Sequence, residues 1–286
     1  MCALCYKHRE VTPPAFKSDL SSLRDRLKNR DDMILLDCET LHHPGPLTDK
    51  SPQTLIQFAL LYKAERLEVI IDHGNGLGQV ERLNLLRAMV RPPRQEMGWN
   101  HVEMNLKTLC NVLDVKLREF PSKSDVEAFE AALKELDSRL AEKGRSPTDA
   151  IDELELWMNI PIENGHNTIC YWAATHFDQI SLDNWYQSVT DEPVSRWHYD
   201  KSILPNVQRS IEKKGENRGS AALHSLYISL VDPTRKIPVS MRWHTALADC
   251  LIMKAVLNEL WKICGDTQPG QRNMSQTKLK QWWKLT

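Results

Sequence analysis

The chain has 286 residues, 41% hydrophobic and 26% charged, enough for a real core in one elaborated α/β domain or two small ones. Its formal net charge of −1 excludes a global basic field that would by itself attract nucleic acid, so an anionic substrate has to be held by a local patch, a metal, or both. No apolar run approaches the roughly 20 residues that span a bilayer, and MCALCYKHREVTPP holds no long apolar stretch, so neither a membrane partner nor a secretory leader is expected.

Residues 1–32 read as an extension with one helix, in which Leu20, Leu23 and Leu27 recur at helical spacing and Ser18 or Asp19 caps the entry. MILLDCET (33–40) is a short apolar run that predicts a buried strand. TLIQFALLYKA (54–64) and ERLEVIID (65–72) predict two more, and the short breaks between them point to antiparallel hairpins. HGNGLGQ (73–79) is a loop whose glycines lack the context of a dinucleotide site. From about 80 to 146 the apolar period becomes helical, with Ser124 as the expected entry and Gly144 as the exit of one long helix. SPTDAIDELELWMN predicts a further helix, HNTICYWAAT (166–175) a strand, FDQISLDNWYQS (177–188) a helix, and 241–263 the strongest amphipathic helix of the C-terminal half. Strands first, then helices alternating with strands, argue for a mixed β-sheet flanked by helices. Seven scattered cysteines fit reduced thiols in a cytoplasm. Cys2, Cys5 and His8 stand close together, but a structural zinc site takes four ligands and no second pair follows.

The chemistry is carried by acids. Asp37 and Glu39 are two apart on the first strand and therefore project from one face. Paired carboxylates repel, and a divalent cation such as Mg²⁺ relieves them; a strand end running into solvent accounts for the same pattern. Asp178 opens a helix just after a strand, where it either favours the helix N-terminus or faces a ligand at the strand's C-terminal end. In RWHTALADC (242–250), five residues separate His244 from Asp249. Both inside a helix, they would point about 140° apart; with His244 on the entering loop and Asp249 in the first turn, both reach one cleft.

The order D-x-E, then F-D, then H-x-A-x-x-D resembles the DEDDh (DnaQ-like) 3′–5′ exonuclease family, and within it the DexA and RNase AS type. Asp37, Glu39, Phe177, Asp178, His244, Ala246 and Asp249 carry the resemblance, with WHYDKSILPNVQRSIE (197–212) similar to that group's W-x-x-x-D segment. The resemblance covers roughly 33–72 and 148–264. It implies an RNase H-like exonuclease domain over 33–265; the helical insert at about 80–146 and the basic tail from 266 to 286 are not covered by it. It also implies two divalent ions, Mg²⁺ or Mn²⁺, held by Asp37, Glu39, Asp178 and Asp249, with His244 as general base. The implied substrate is a single-stranded 3′ end, DNA slightly ahead of RNA, released as nucleoside 5′-monophosphates. Thr40, His42, His176, Phe177, Lys201 and Arg242 are the residues expected along the substrate, and Asp200 either supports the site or caps the next helix. A cytoplasmic setting follows, including that of a phage-encoded enzyme in its host.

Residues 201–220 carry five cations against two acids, and the tail from 271 carries four cations, no acid and the pair Trp282 and Trp283. Phosphate contacts beside stacking aromatics grip single strands without reading sequence; a solvated tail with docked tryptophans fits equally. Two rival readings stand beside the first: an exoribonuclease trimming RNA tails or short oligonucleotides, and a non-catalytic binding module on the same fold. The helical insert is a candidate surface for a protein partner or for oligomerisation.

Overall fold

The structure, a computed structural model, describes residues 16–17, 19–41, 54–91, 99–117, 120–172, 176–200, 202–211, 222–232 and 245–265. Its centre is a five-stranded sheet built from β1 (Ile34–Leu41), β2 (Thr54–Tyr62), β3 (Glu65–Ile70), β4 (Thr168–Cys170) and β5 (His198–Tyr199), in the order β3-β2-β1-β4-β5. The first three strands form the expected antiparallel meander. β4 runs parallel to β1, and β5 parallel to β4, so the sheet is mixed. β4 is shorter than the expected 166–175 run, because Tyr171 and Trp172 turn their carbonyls to the N–H groups of Ile203 and Leu204 rather than to a strand. The chain is thus α/β, with helices on both faces.

Side-chain alternation sorts β1 into two faces. Ile34, Leu36 and Cys38 enter the core made with α5 (Pro147–Glu163) and α6 (Phe177–Thr190), where Leu154, Met158, Leu182 and Trp185 lie. Leu35 points the other way, into the core made with α9 (Ala246–Gly265), beside Cys250, Met253 and Leu257. Asp37 and Glu39 continue the Leu35 face. The α9 stripe runs Ala246, Asp249, Met253, Val256, Leu260, all buried, so Asp249 occupies an apolar position of a helix laid on the face that carries Asp37 and Glu39.

The N-terminal helix α1 (Ser21–Leu27) is built into this second core, with Leu20, Leu23 and Leu27 at 5%, 0% and 0% exposure. Asp19 accepts the Ser21 N–H at 3.0 Å at its entry. Arg26 forms an ion pair with Asp200 just after β5. Asp200 thereby gains a role that neither expectation named. It does not cap α7 (Leu204–Ser210), whose N-cap is Ile203 without a side-chain bond; it anchors α1.

The segment from about 80 to 146 forms α2 (Gln79–Val90), α3 (Trp99–Leu113) and α4 (Val126–Lys143). They enclose a third core, which reaches the sheet through Leu41 and Ile56. A bulge makes that reach possible: Glu39 pairs with Gln57 and Thr40 with Leu55, leaving Ile56 as the extra residue. The entry of α4 is capped by Asp125, which accepts the Ala128 N–H at 2.9 Å, and not by Ser124. An ionised acid one residue nearer the helix wins over the hydroxyl, which instead hydrogen-bonds Ser122. Gly144 ends α4 as expected. A Cβ there would lie 2.7 Å from both Asp72 Cβ and the Leu140 carbonyl oxygen. Gly144→Ala is therefore expected to destabilise the fold by about 1–3 kcal/mol through overpacking, read as a lower urea midpoint with unchanged slope.

Among the described residues, no helix is long and apolar enough to cross a membrane. Among the described residues, Cys38, Cys110, Cys170, Cys250 and Cys264 are buried and form no disulfide. Cys2, Cys5, His8 and the basic tail lie outside the described residues.

Candidate metal centre

Three carboxylates from the two ends of the chain meet at the sheet. One oxygen from each of Asp37, Glu39 and Asp249 lies within 4.8 Å of the others. Asp37 and Glu39 are half-buried, and Asp249 is 7% exposed. Asp178 stands beside this group rather than inside it. It is 4% exposed, and its Oδ1 accepts the backbone N–H of Cys38 at 3.2 Å, so the residue between the two strand acids fixes the acid that opens α6. That contact turns the carboxylate toward β1.

The electrostatics follow from the crowding. Burial, and then the charges of Asp249, Asp178 and Glu39, push the Asp37 carboxyl well above the ordinary aspartate range. Burial, then Asp249 and Asp178, do the same to Glu39. Burial lifts Asp178 to about 7, against the pull of the Cys38 N–H. Burial also raises the Cys38 and Cys250 thiols well above their usual value, with Asp178 the next cause at Cys38 and Asp37 at Cys250. Both thiols therefore stay protonated and are poor metal ligands. Among the described residues, no cationic side chain pairs with Asp37, Glu39 or Asp178. A set of hard oxygen donors that repel one another in a desolvated pocket fits a divalent cation such as Mg²⁺ or Mn²⁺.

No family model matches the chain, and no curated protein does.

Two side chains at this site were not legible in the sequence. Gln57, 1% exposed, pairs across the sheet with Glu39. Its Oε1 accepts the Ala246 N–H at 3.0 Å and its Nε2 donates to Glu68 at 2.9 Å. It thereby satisfies one of the open N–H groups at the start of α9 and fixes where the first turn, with Asp249, sits over β1. His224 contacts Asp249 directly, with Nε2 2.8 Å from Oδ1. Neither residue belongs to a recognisable spacing, since their partners are 189 and 25 positions away; an alternation argument marks Gln57 only as a polar residue on a buried strand face.

The other expected substrate residues divide by position. His176, exposed and with φ of 54°, is the N-cap of α6, and its Nδ1 is hydrogen-bonded to the Tyr171 hydroxyl. Phe177 follows it, partly buried. Both directly precede Asp178 in the chain. Thr40 is 4% exposed, past the bulge, which leaves its side chain little access to a bound strand. His42, Lys201, Arg242 and His244 lie outside the described residues. The helix expected from 241 begins at Ala246, because Thr245 is not helical and the first N–H is taken by Gln57.

Proposed function

We propose that this chain is a metal-dependent 3′–5′ exonuclease of the DEDDh type on an RNase H-like sheet, acting on single-stranded nucleic acid. The observation that carries the reading is the convergence of Asp37, Glu39 and Asp249 within 4.8 Å, with Asp178 held beside them. The five-stranded mixed sheet is compatible with that fold. The three acids would hold a divalent cation, and Asp178 extends the anionic surface for a second. Bound Mg²⁺ or Mn²⁺ supplies Lewis acidity toward the phosphate and acidifies a water toward neutral pH.

The protein's own groups account for the rest. The Cys38 N–H holds Asp178 in place, Gln57 fixes the start of α9, and the apolar cores on the two faces of β1 hold the strand and the helix that carry the acids. His244, five residues before Asp249, is the proposed base that takes the proton of the attacking water; an imidazole titrating near neutrality suits that role. His176 and Phe177, next to Asp178 in the chain, are the proposed contacts to the terminal nucleotide.

The test uses 5′-labelled and 3′-labelled single strands, DNA and RNA, with Mn²⁺, Mg²⁺ or EDTA. The expected result is a descending ladder from the 5′ label, early release of the 3′ label as a nucleoside 5′-monophosphate, and no reaction in EDTA. Failure of all four strands to shorten with either ion sinks the proposal. The DNA and RNA arms rank the two substrates.

A further inference from the structure

The side chains of His224 and Asp249 are 12% and 10% exposed, so their 2.8 Å contact is made largely out of water. A carboxylate that ligates a cation only accepts, so in that role of Asp249 the ring would donate through Nε2–H. The ring is carried by a fixed element. α8 (Leu223–Leu226) runs directly into a π-helical turn, Tyr227–Val231, and Leu226 and Tyr227 are buried in the same core as Ala246, Cys250 and Met253 of α9. The two ends of the contact are therefore held by packing against each other. Asp37 and Glu39 take their direction from a paired strand, whereas Asp249 hangs from a helix and has only its rotamer and its neighbours to aim it.

We infer that His224 is a positioning residue of the metal centre: its Nε2–H pins one oxygen of Asp249 and so sets the direction from which that carboxylate meets a divalent cation. This assignment rests on reading the acidic cluster as a cation site. It is distinct from the base role proposed for His244, because the contact is to a carboxylate and not to a substrate group. Hydrogen bonds to ligating carboxylates orient them and raise metal affinity, typically by 10–100-fold. Segment 222–232 would then belong to the functional site, although none of its residues would touch the cation.

Mn²⁺ alone is the probe, titrated into the intact chain by calorimetry and followed by the electron paramagnetic resonance of the bound ion. The variants are His224→Ala and His224→Gln, whose amide nitrogen reaches about as far as imidazole Nε2. Loss of roughly 10–100-fold in Mn²⁺ affinity is expected for alanine, with an altered spectrum, and recovery to within a few-fold for glutamine. Should His224→Ala fail to fold, His224→Leu takes its place, keeping apolar bulk without the donor. Equal Mn²⁺ affinity in wild type and the donor-less variant overturns the positioning role and leaves the cation site standing. So does a glutamine variant as weak as alanine, since ring packing rather than the donor would then matter. A wild-type chain that binds no Mn²⁺ overturns both this inference and the reading of the site beneath it.

Discussion

Asp37→Asn is expected to abolish Mn²⁺-dependent hydrolysis while making the metal-free protein more stable. Loss of one ligating carboxylate removes charge stabilisation from the reacting phosphate, and a drop of roughly 10²–10³-fold or more in turnover is the scale for losing such a group. The stability change has the opposite sign because burial, and then the neighbouring acids, disfavour a charge on Asp37. The Asp37 and Glu39 carboxyls titrate well above their ordinary range and Asp178 at about 7. A carboxyl whose folded pKa is raised binds its proton more tightly in the folded state, so stability falls as pH rises from about 4 toward 7 and beyond. At pH 8 in EDTA the wild type carries the full cost of that charge and Asp37→Asn does not. The variant should gain about 1–2 kcal/mol, seen as a Tm raised by roughly 3–6 °C, with the gap closing near pH 5. Added Mn²⁺ should raise the wild-type Tm and leave the variant nearly unchanged. A variant less stable than wild type at pH 8 in EDTA would show that a charge on Asp37 is not disfavoured.

The largest stability loss is expected at Arg82, far from the acids. Its guanidinium donates from Nη1 to Asp72 Oδ2 at 2.7 Å and from Nε to Asp137 Oδ1 at 3.1 Å. Asp72 is 1% exposed and Asp137 9%, and Asp72 also accepts the Gly74 N–H at 3.0 Å. One cation thus joins α2, α4 and the end of β3. Arg82→Met keeps much of the volume but leaves two buried carboxylates without a cation, at a cost of about 3–5 kcal/mol, or a Tm lower by on the order of 10 °C. Adding Asp72→Asn and Asp137→Asn should restore most of that loss, because the penalty is the uncompensated charge and not the missing contact. If the single variant melts with wild type, the pair carries no structural weight.

The sequence was most informative where a short period coincides with a chemical oddity. Asp37 and Glu39 were legible because a strand repeats every two residues, and Asp249 because it follows His244 by five residues in RWHTALADC. Asp178 was legible as a helix-opening acid, but not as the acceptor of the Cys38 N–H, a contact made across 140 positions. Gln57 and His224 escaped for the same reason: their meaning lies in partners that only the folded chain supplies. The two-residue β5 is too short for any period, and the end of β4 was misread because Tyr171 and Trp172 suit a strand while their carbonyls serve another segment. Where two good capping residues adjoin, as at Ser124 and Asp125, local chemistry alone left the choice to geometry.

The pairing of the central strand with α9 also bears on how the protein is made. β1 emerges from the ribosome long before α9 does, and its hairpin partners β2 and β3 follow at once. A nascent chain can therefore close the meander while Asp37 and Glu39 still face water, with Asp249 not yet synthesised. The anionic cluster comes together only when α9 is laid on the sheet, a contact between distant parts of the chain and so among the slow ones to form. The crowding of acids is thus deferred to a late step, and the helix that completes it brings along the apolar stripe that closes the core beside it.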